Sequence, residues 1–223
     1  MTGSEKPIPE TFTPALGQHW LTPVYDLAIA TLTRERVWRA FLVRQVQAVP
    51  GDRILDVGCG TGTLATLIAS RTPQVAMFGI DPDPHVLERA RRKVASAGAS
   101  VDFAEDFLSE EVLARVAPLD KVVSSLVLHQ VPLSEKARIL QLMRRALRAG
   151  GEAHVADYGE QASSLMRWLF RRTVQRLDGM QNTQPNADGV LPKLMHEAGF
   201  RVVEETGRFA TPTGSISVYR CIA

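Results

Sequence analysis

The chain has 223 residues, of which 45% are hydrophobic, and a formal net charge of +2. A chain of this length forms one or two domains and needs no disulfide or metal ion to complete its core. The near balance of charges argues against a nucleic-acid-binding surface, and the two cysteines, Cys59 and Cys221, have neither metal-ligand nor redox spacing. Since the sequence shows no apolar signal-peptide core and no apolar run of about 18 residues, we expect a cytoplasmic protein.

The N-terminal part divides into an arm and a helical segment. Residues 1–18 are polar and contain several prolines, which predicts a flexible arm. Residues 19–49 follow a helical pattern and are expected to form a helical cap within one domain that spans residues 19–223. The apolar positions of this pattern predict a buried stripe made of Leu27, Leu32, Val37, Phe41 and Val46.

Strands and helices then alternate along the chain. Short apolar runs predict five strands, over residues 54–57, 75–80, 101–103, 121–125 and 152–157. The helix after the first strand is expected to bury Leu64, Leu67 and Ile68. Another helix is expected to run from an N-cap at Asp83 to Val94, and a third from Ser134 to Leu147, where Gly150-Gly151 ends it. Asp188 is expected to cap a last helix that ends at Gly199, and residues 200–206 and 215–222 predict two closing strands.

Strict alternation of this kind predicts an α/β fold. Parallel strands need helical crossovers, which cover both faces of the sheet. We therefore expect a Rossmann-like, doubly wound, mostly parallel seven-stranded sheet with helices on both faces and an N-terminal helical cap.

A glycine loop follows the first predicted strand in the stretch "ILDVGCGTGTLATLIAS". Ligands of doubly wound sheets bind at the carboxyl ends of strands, so the loop is in the right place for a cofactor. Its G-x-G-x-G spacing departs from the G-x-G-x-x-G of dinucleotide-binding loops, which argues against a nicotinamide-dependent oxidoreductase. Asp56, two residues before Gly58, would repel a pyrophosphate but would attract an ammonium group. Asp81, at the end of the next strand, could accept hydrogen bonds from ribose hydroxyls.

These features resemble the class I S-adenosylmethionine-dependent methyltransferases, and most of all their ubiquinone/menaquinone-biosynthesis branch. The family's first motif is similar to "ILDVGCGTG", its acidic second motif to "GIDPDP", and its later motifs to "SSLVLHQV" and "LRAGGEAHVADYG". The resemblance covers residues 20–157 well and the remaining C-terminal part more loosely. It implies S-adenosylmethionine as the cofactor.

The resemblance also implies which residues contact that cofactor. Gly58, Gly60 and Gly62 would line its methionine and ribose portions, Asp81 would hold the ribose and Pro82 would lie against the adenine. Asp106 and Phe107 in "VDFAEDF" would read the adenine, although this stretch lacks the family's usual glycine, so Glu105 competes with Asp106. Asp56, Cys59 and Ser125 complete the expected cofactor contacts.

The candidate catalytic residues lie on the acceptor side. His129 follows the fourth strand and is either a general base or a residue that packs and hydrogen-bonds beneath the loop. Tyr25 and Tyr158 are candidates for orienting the acceptor, with core packing as the alternative for Tyr25 and an exposed loop position as the alternative for Tyr158. No histidine has metal-ligand spacing, so we expect no metal site.

A segment with both basic and apolar residues follows the fifth strand. Residues 163–179, "SSLMRWLFRRTVQRLDG", lie within a stretch, 160–187, that is a candidate substrate lid. An ordinary surface helix, or a helix resting on an anionic membrane, would have a similar composition.

The sequence therefore predicts methyl transfer from S-adenosylmethionine to a small-molecule acceptor such as a quinone, a phenol or another partly apolar metabolite. A lipid or phospholipid head group is the alternative acceptor, and a non-catalytic S-adenosylmethionine-binding protein is the alternative of another class. We expect no nucleic-acid partner and no stable membrane insertion, with peripheral membrane contact left open. The sequence gives no oligomeric state.

Overall fold

The strands of the protein form one seven-stranded sheet. The computed structural model describes residues 33–223. The strands are β1 (Arg53–Val57), β2 (Ala76–Asp81), β3 (Asp102–Glu105), β4 (Leu119–Ser125), β5 (Leu147–Tyr158), β6 (Val202–Thr211) and β7 (Gly214–Ile222). The helices are α1 (Glu35–Val46), α2 (Thr63–Arg71), α3 (Pro84–Ser96), α4 (Glu110–Val116), α5 (Leu133–Ala146), α6 (Ser164–Arg172), α7 (Val174–Asp178), α8 (Met180–Ala187) and α9 (Leu191–Glu197), with a 3-10 turn over Leu128–Gln130.

The order of the strands across the sheet is β3-β2-β1-β4-β5-β7-β6. The first five strands are parallel, and β7 pairs antiparallel with both β5 and β6. The chain moves outward from β1 to β3 and then returns to place β4 on the other side of β1. This reversal puts the topological switch point at the carboxyl ends of β1 and β4, where doubly wound folds bind ligands. The Rossmann-like, mostly parallel sheet is thus confirmed.

Two apolar layers cover the two faces of the sheet. Consecutive β1 residues serve opposite layers: Ile54 packs with Trp38 of α1, whereas Leu55 packs with Met143 of α5. These four side chains are fully buried, and burial of one such side chain stabilises the fold by roughly 1.5–3 kcal/mol. The alternation follows from the two-residue period of a strand, and it fixes β1 rigidly beneath the glycine loop.

The buried face of α1 differs from the predicted stripe. Val46 is buried and Phe41 is half-buried, but Val37 is 47% exposed, so its predicted burial is wrong. Trp38 takes the buried position instead, and its indole nitrogen donates a hydrogen bond to the Thr33 carbonyl at 3.1 Å. On this turn of α1 the buried position is therefore one residue further along the chain than the predicted one. Leu27, Leu32, the arm over residues 1–18 and the cap over residues 19–32 lie outside the described residues.

One of the two predicted side-chain helix caps is present in the structure. Asp83 caps α3 as predicted, because its carboxylate accepts a hydrogen bond from the His85 backbone amide at 2.8 Å. The predicted cap at Asp188 is wrong: this residue follows α8, and its backbone N–H donates to the Gln184 carbonyl. The sequence analysis missed α8 because it contains Pro185, and it missed the short α4.

Two further details correct the sequence analysis. Leu67 lies on the outer side of α2 and is exposed, whereas Leu64 and Ile68 are buried as predicted. The helix before β5 ends at Ala146, so Gly150 and Gly151 lie inside the strand and not at a helix end. Gly150 has a positive φ of 72°, and the pairing of β4 with β5 changes register in this region.

Candidate active site

The glycine loop that follows β1 has a backbone conformation that requires glycine. Gly58, Gly60 and Gly62 have φ values of 65°, 52° and 70°, in the left-handed region. A Cβ atom on Gly58 would lie 2.4 Å from Cγ2 of Val127, and one on Gly62 would lie 2.8 Å from Cβ of Ala90. The loop is thus packed closely against the segment after β4 on one side and against α3 on the other, with its backbone open to a ligand.

Asp81 at the end of β2 organises this loop. One carboxylate oxygen accepts a hydrogen bond from the Gly60 backbone amide at 2.8 Å, and the other accepts one from the Asp83 amide at 3.0 Å. Burial raises the pKa of Asp81, and these two amides oppose that change. Since a carboxylate has about four acceptor sites, Asp81 can still accept hydrogen bonds from a ligand. Pro82 follows it directly and is half-buried.

Asp56 is a buried acid whose carboxylate oxygens have no partner at hydrogen-bond distance among residues 33–223. The residue is 1% exposed. Burial and the charge of Asp81 raise the pKa of Asp56 to about 7, against the opposing positive charge of Arg39 and the nearby Ala65 backbone amide. Buried polar groups are normally hydrogen-bonded, so an orphan carboxylate beside the glycine loop indicates a donor that a ligand would supply.

Arg39 on α1 is a second charged group near Asp56 that the sequence analysis missed. Its guanidinium forms an ion pair with Glu35 at 2.7 Å, and its Nε has no hydrogen-bond partner within the described part of the chain. Burial lowers the pKa of Arg39, while the charges of Glu35 and Asp56 raise it. The spacing of Arg39 within an amphipathic helix gave no signal of this contact.

The predicted adenine-reading residues lie at the end of β3. The Asp106 backbone amide donates to the Asp81 carbonyl at 3.3 Å, and its carboxylate is paired with Arg115 at 2.6 Å. Glu105 is exposed, whereas Asp106 and Phe107 are half-buried. Because β3 pairs with β2, the fold brings these residues close to Asp81 although they are distant in sequence. The choice between Glu105 and Asp106 as the adenine-reading acid stays a prediction.

His129 lies on the 3-10 turn after β4 and is buried. Its Nδ1 is 2.7 Å from Oδ1 of Asp157, and its Nε2 is 3.5 Å from Oδ2 of Asp178. The other Asp157 oxygen accepts a hydrogen bond from the Leu128 backbone amide at 2.7 Å. Burial by itself lowers the pKa of His129, but the charge and hydrogen bonds of the two aspartates raise it to about 9. His129 is therefore an imidazolium at neutral pH.

Tyr158 lies beside His129 as part of the core. Its ring packs edge-on against the imidazole, with 4.9 Å between centroids, and against Phe170 at 5.1 Å. Its hydroxyl group forms a buried hydrogen bond with the Thr213 hydroxyl at 2.8 Å. Tyr158 is 3% exposed, so the predicted alternative of an exposed loop residue is wrong, and a direct role of Tyr158 with an acceptor stays a prediction. Tyr25 lies outside the described residues.

Known proteins show what the chain is similar to. A family model described as a methyltransferase domain matches residues 54–151, which contain the glycine loop, Asp81 and His129. With this domain match, the chain is similar to the class I S-adenosylmethionine-dependent methyltransferases of the ubiquinone/menaquinone-biosynthesis type.

Two curated relatives are similar to this methyltransferase. The ubiquinone/menaquinone biosynthesis C-methyltransferase UbiE of Geotalea uraniireducens is 28% identical over 154 residues, covering 67% of this chain and 65% of the relative. The demethylmenaquinone methyltransferase of Deinococcus radiodurans is 27% identical over 209 residues, covering 91% of this chain and 84% of the relative. This chain thus spans slightly less than two thirds of the length of the first relative.

A solved structure shares the fold. Magnesium protoporphyrin IX methyltransferase from Synechocystis with bound S-adenosylmethionine superposes with a TM-score of 0.61 at 18% sequence identity, over 92% of this chain and 85% of that chain. The same enzyme with bound S-adenosylhomocysteine gives a TM-score of 0.64 at 17% identity, over 92% and 89% of the two chains. These superpositions confirm the Rossmann-like methyltransferase fold.

The residues of this site fit S-adenosylmethionine. The orphan carboxylate of Asp56 suits the ammonium group, the glycine loop leaves its backbone open, and Asp81 has acceptor sites left for ribose hydroxyls. Cys59 lies inside the loop, where burial raises the pKa of its thiol, and its backbone amide donates to the Ile80 carbonyl at 2.9 Å. The Cys59 side chain packs against Gly79 of β2 and thus supports the loop. Ser125, also predicted as a cofactor contact, ends β4 beside the loop.

Lys136 joins the acceptor side of the methyltransferase to α8. This fully buried lysine of α5 donates hydrogen bonds to the carbonyl groups of Leu128, of Val131 at 2.8 Å and of Asn182 at 2.8 Å. The Asn182 side chain in turn donates to the Gln130 carbonyl at 2.8 Å. Burial lowers the pKa of Lys136 to about 8, against the charge of Asp157. In the sequence this lysine is indistinguishable from a surface residue of an amphipathic helix.

Residues 33–223 contain neither a cluster of metal-binding side chains nor a membrane-spanning helix. No group of three or more histidine, cysteine, aspartate or glutamate side chains in this range could hold a metal ion. No helix in the same range is long and apolar enough to cross a membrane.

Proposed function

We propose that the protein transfers a methyl group from S-adenosylmethionine to a small, partly apolar acceptor, with a quinone or phenol as the favoured class. The observation that supports this most is the buried carboxylate of Asp56, unpartnered among residues 33–223, beside a loop that has no room for a side chain at Gly58 or Gly62. Such a carboxylate lacks a positively charged donor, and the ammonium group of S-adenosylmethionine would supply one. The names of the two relatives, which act in ubiquinone or menaquinone biosynthesis, support the quinone class.

The protein residues position the reactants in this proposal. S-adenosylmethionine supplies a methyl group already activated on a sulfonium, so the barrier is lowered mainly by alignment, for which roughly 7–11 kcal/mol is available in well-oriented reactions. Asp56 would bind the ammonium group of the cofactor and Asp81 its ribose, and the turn of Leu128–Gln130 would form the acceptor side. The position of His129 on this turn supports a role next to the acceptor.

The protonation of His129 separates its two proposed roles. As a general base, His129 must first lose its proton, so methyl transfer would rise with pH up to about 9, the pKa that Asp157 and Asp178 give it. As a structural cation, His129 would hold Asp157 and Asp178 together, and the rate of methyl transfer would not change with the protonation of His129. A pH–rate profile of wild type against His129→Gln distinguishes these roles, because only the first predicts that the variant loses the rising limb.

Binding and transfer should be tested separately. We expect micromolar, saturable calorimetric binding of S-adenosylmethionine and of S-adenosylhomocysteine, and loss of both in Asp81→Ala. Asp102→Ala is the matched control, since Asp102 is an exposed acid on the neighbouring strand β3. Unchanged affinity in Asp81→Ala would contradict the ribose assignment.

Transfer from methyl-labelled cofactor should then be measured with reduced naphthoquinones, phenols and phosphatidylethanolamine as acceptors. Labelled quinol or phenol products would support the proposal, and labelled phospholipid would favour the lipid head-group alternative. Binding without transfer to any acceptor would favour a non-catalytic S-adenosylmethionine-binding protein. A cytoplasmic location and the absence of a nucleic-acid partner stay predictions from the sequence.

A further inference from the structure

Exposed large apolar side chains are concentrated in one segment of the protein. Nine such side chains are exposed among residues 33–223, and four of them lie between residues 165 and 180. These four are between 52% and 60% exposed: Leu165, Trp168, Leu177 and Met180. The other five occur singly at separate places in the chain, which is normal for a protein surface, whereas a concentration of this kind marks an interaction site.

The helices that carry these side chains are firmly attached to the rest of the protein. Phe170 of α6 and Val174 of α7 are buried in the apolar layer that also contains Trp38. The Thr173 hydroxyl between them lies in hydrogen-bond distance of the carbonyl groups of Leu169, at 2.7 Å, and Thr213, at 3.3 Å. The inner face of the segment is therefore already used for packing, and its outer face has apolar side chains left over.

The outer face is also basic. Residues 163–180 contain four arginines and one acid, Asp178, which faces His129. Arg172 lies over the Trp168 ring, 4.9 Å from its centroid, and Arg167 pairs with Asp188 at 3.3 Å. Arg171 and Arg176 are exposed and form no ion pair with the described residues. Arginine beside tryptophan and leucine on an amphipathic helix is the composition of segments that lie on anionic lipid.

We propose that this outer face docks the protein on the surface of an anionic lipid bilayer. The docking surface is defined by Leu165, Trp168, Arg171, Arg172, Arg176, Leu177 and Met180. The apolar side chains would enter the headgroup region, and the arginines would attract anionic headgroups. Charge complementarity favours such a bilayer over a second copy of the chain, since two copies would bring like charges together.

The docking surface is continuous with the acceptor side of the site. Asp178, directly after Leu177, lies 3.5 Å from the His129 ring, and Asn182 of α8 is bound to Lys136. Docking would therefore place the His129 turn close to the bilayer, from which an apolar acceptor could enter. This consequence rests on the proposed function, but docking itself does not.

Vesicle sedimentation of the full-length protein tests the proposal. We expect binding to vesicles of phosphatidylcholine mixed with phosphatidylglycerol, weaker binding to phosphatidylcholine alone, and loss of binding at high salt. In the double variant Arg176→Glu/Leu177→Ser, affinity should fall at least tenfold, since one basic residue near such a surface contributes about fivefold. Calorimetric affinity for S-adenosylmethionine should not change.

A neighbouring pair provides the matched control. Arg201 and Val202 are likewise an adjacent exposed arginine and exposed apolar residue, where the edge strand β6 begins, so Arg201→Glu/Val202→Ser should bind vesicles like wild type. Circular dichroism shows whether both variants are folded, and Trp168→Ala, which should also bind weakly, provides an independent variant. Equal vesicle binding by the two double variants, or no binding of wild type to anionic vesicles, would overturn the proposal. So would light scattering that shows a dimer which Arg176→Glu/Leu177→Ser abolishes.

Discussion

Replacing Asp56 by asparagine should make the cofactor-free protein more stable and the cofactor complex weaker. The carboxylate is buried without a hydrogen-bond partner among the described residues, and its pKa is raised to about 7. An unfolded aspartate has a pKa of about 3.9, so ionised Asp56 costs roughly 4 kcal/mol of stability above pH 7. Between these two values the folded state binds more protons than the unfolded state, and stability falls as the pH rises through this window.

Asparagine removes the charge but leaves a buried amide. An unsatisfied amide costs roughly 1–3 kcal/mol, so Asp56→Asn should gain about 1–3 kcal/mol over wild type at pH 8. Near pH 4, where wild-type Asp56 is protonated in the folded state, the gain should disappear and the variant should be about 1–3 kcal/mol less stable than wild type, because the cost of the unsatisfied amide remains. A hydrogen bond to a charged group contributes roughly 1.5–3 kcal/mol, so affinity for S-adenosylmethionine should fall by about 10-fold to 150-fold.

Urea denaturation from pH 4 to pH 8 and calorimetric titration with S-adenosylmethionine measure the two effects. Asp102→Asn, at an exposed position on β3, is the control and should change neither quantity. A variant that is less stable than wild type at pH 8 would show that Asp56 is not a buried unpartnered charge. Unchanged cofactor affinity would refute the assignment of Asp56 to the ammonium group.

Three further variants test the loop and the acceptor side. Gly58→Ala should weaken cofactor binding at least tenfold in calorimetry. Its control is Gly98→Ala, which has a similar φ of 63° but open space around its Cβ position and should only lower stability by about 1 kcal/mol. Equal effects of the two variants on cofactor binding would contradict the close packing of the loop. The stability difference between wild type and His129→Gln in urea denaturation should change by about 3 kcal/mol against wild type between pH 6.5 and 9, because the raised pKa of His129 stabilises the fold fully below its ordinary value and the effect is lost as pH rises through about 9. The titration of Lys136, whose pKa is lowered to about 8, is common to both proteins and cancels in this difference. Lys136→Met should lower the free energy of unfolding by roughly 3 kcal/mol or more in urea denaturation, since three carbonyl groups lose their donor. A loss no larger than that of Lys193→Met, at an exposed lysine, would refute the role of the buried ammonium group.

Local signals predicted the sheet and the cofactor side well. The apolar run before Gly58, the cap at Asp83 and the alternation of strands and helices are set by short-range chemistry, which the sequence displays directly. The face of α1 was misjudged because Val37 and Trp38 are neighbours, and only packing against the sheet decides which of them is buried.

The acceptor side depends on contacts between distant parts of the chain. Asp157, Asp178 and His129 come from three separate segments, and their charges together decide the protonation of the histidine. Lys136 is buried only because three carbonyl groups from two other elements converge on it. Nothing within a few residues of these side chains indicates such partners, so a sequence pattern could name His129 as a candidate but could not give its charge.

The burial of both thiols gives the protein two built-in reporters of local opening. Cys59 supports the glycine loop and Cys221 lies in β7, and burial raises the pKa of each thiol, that of Cys221 to about 12. A thiol reagent can therefore react with either only after the surrounding structure opens. The labelling rate of Cys59 would follow opening of the loop and should slow when cofactor is bound, while that of Cys221 would follow unfolding of the sheet. One labelling experiment followed by peptide mass analysis would thus separate loop dynamics from global stability without any introduced probe.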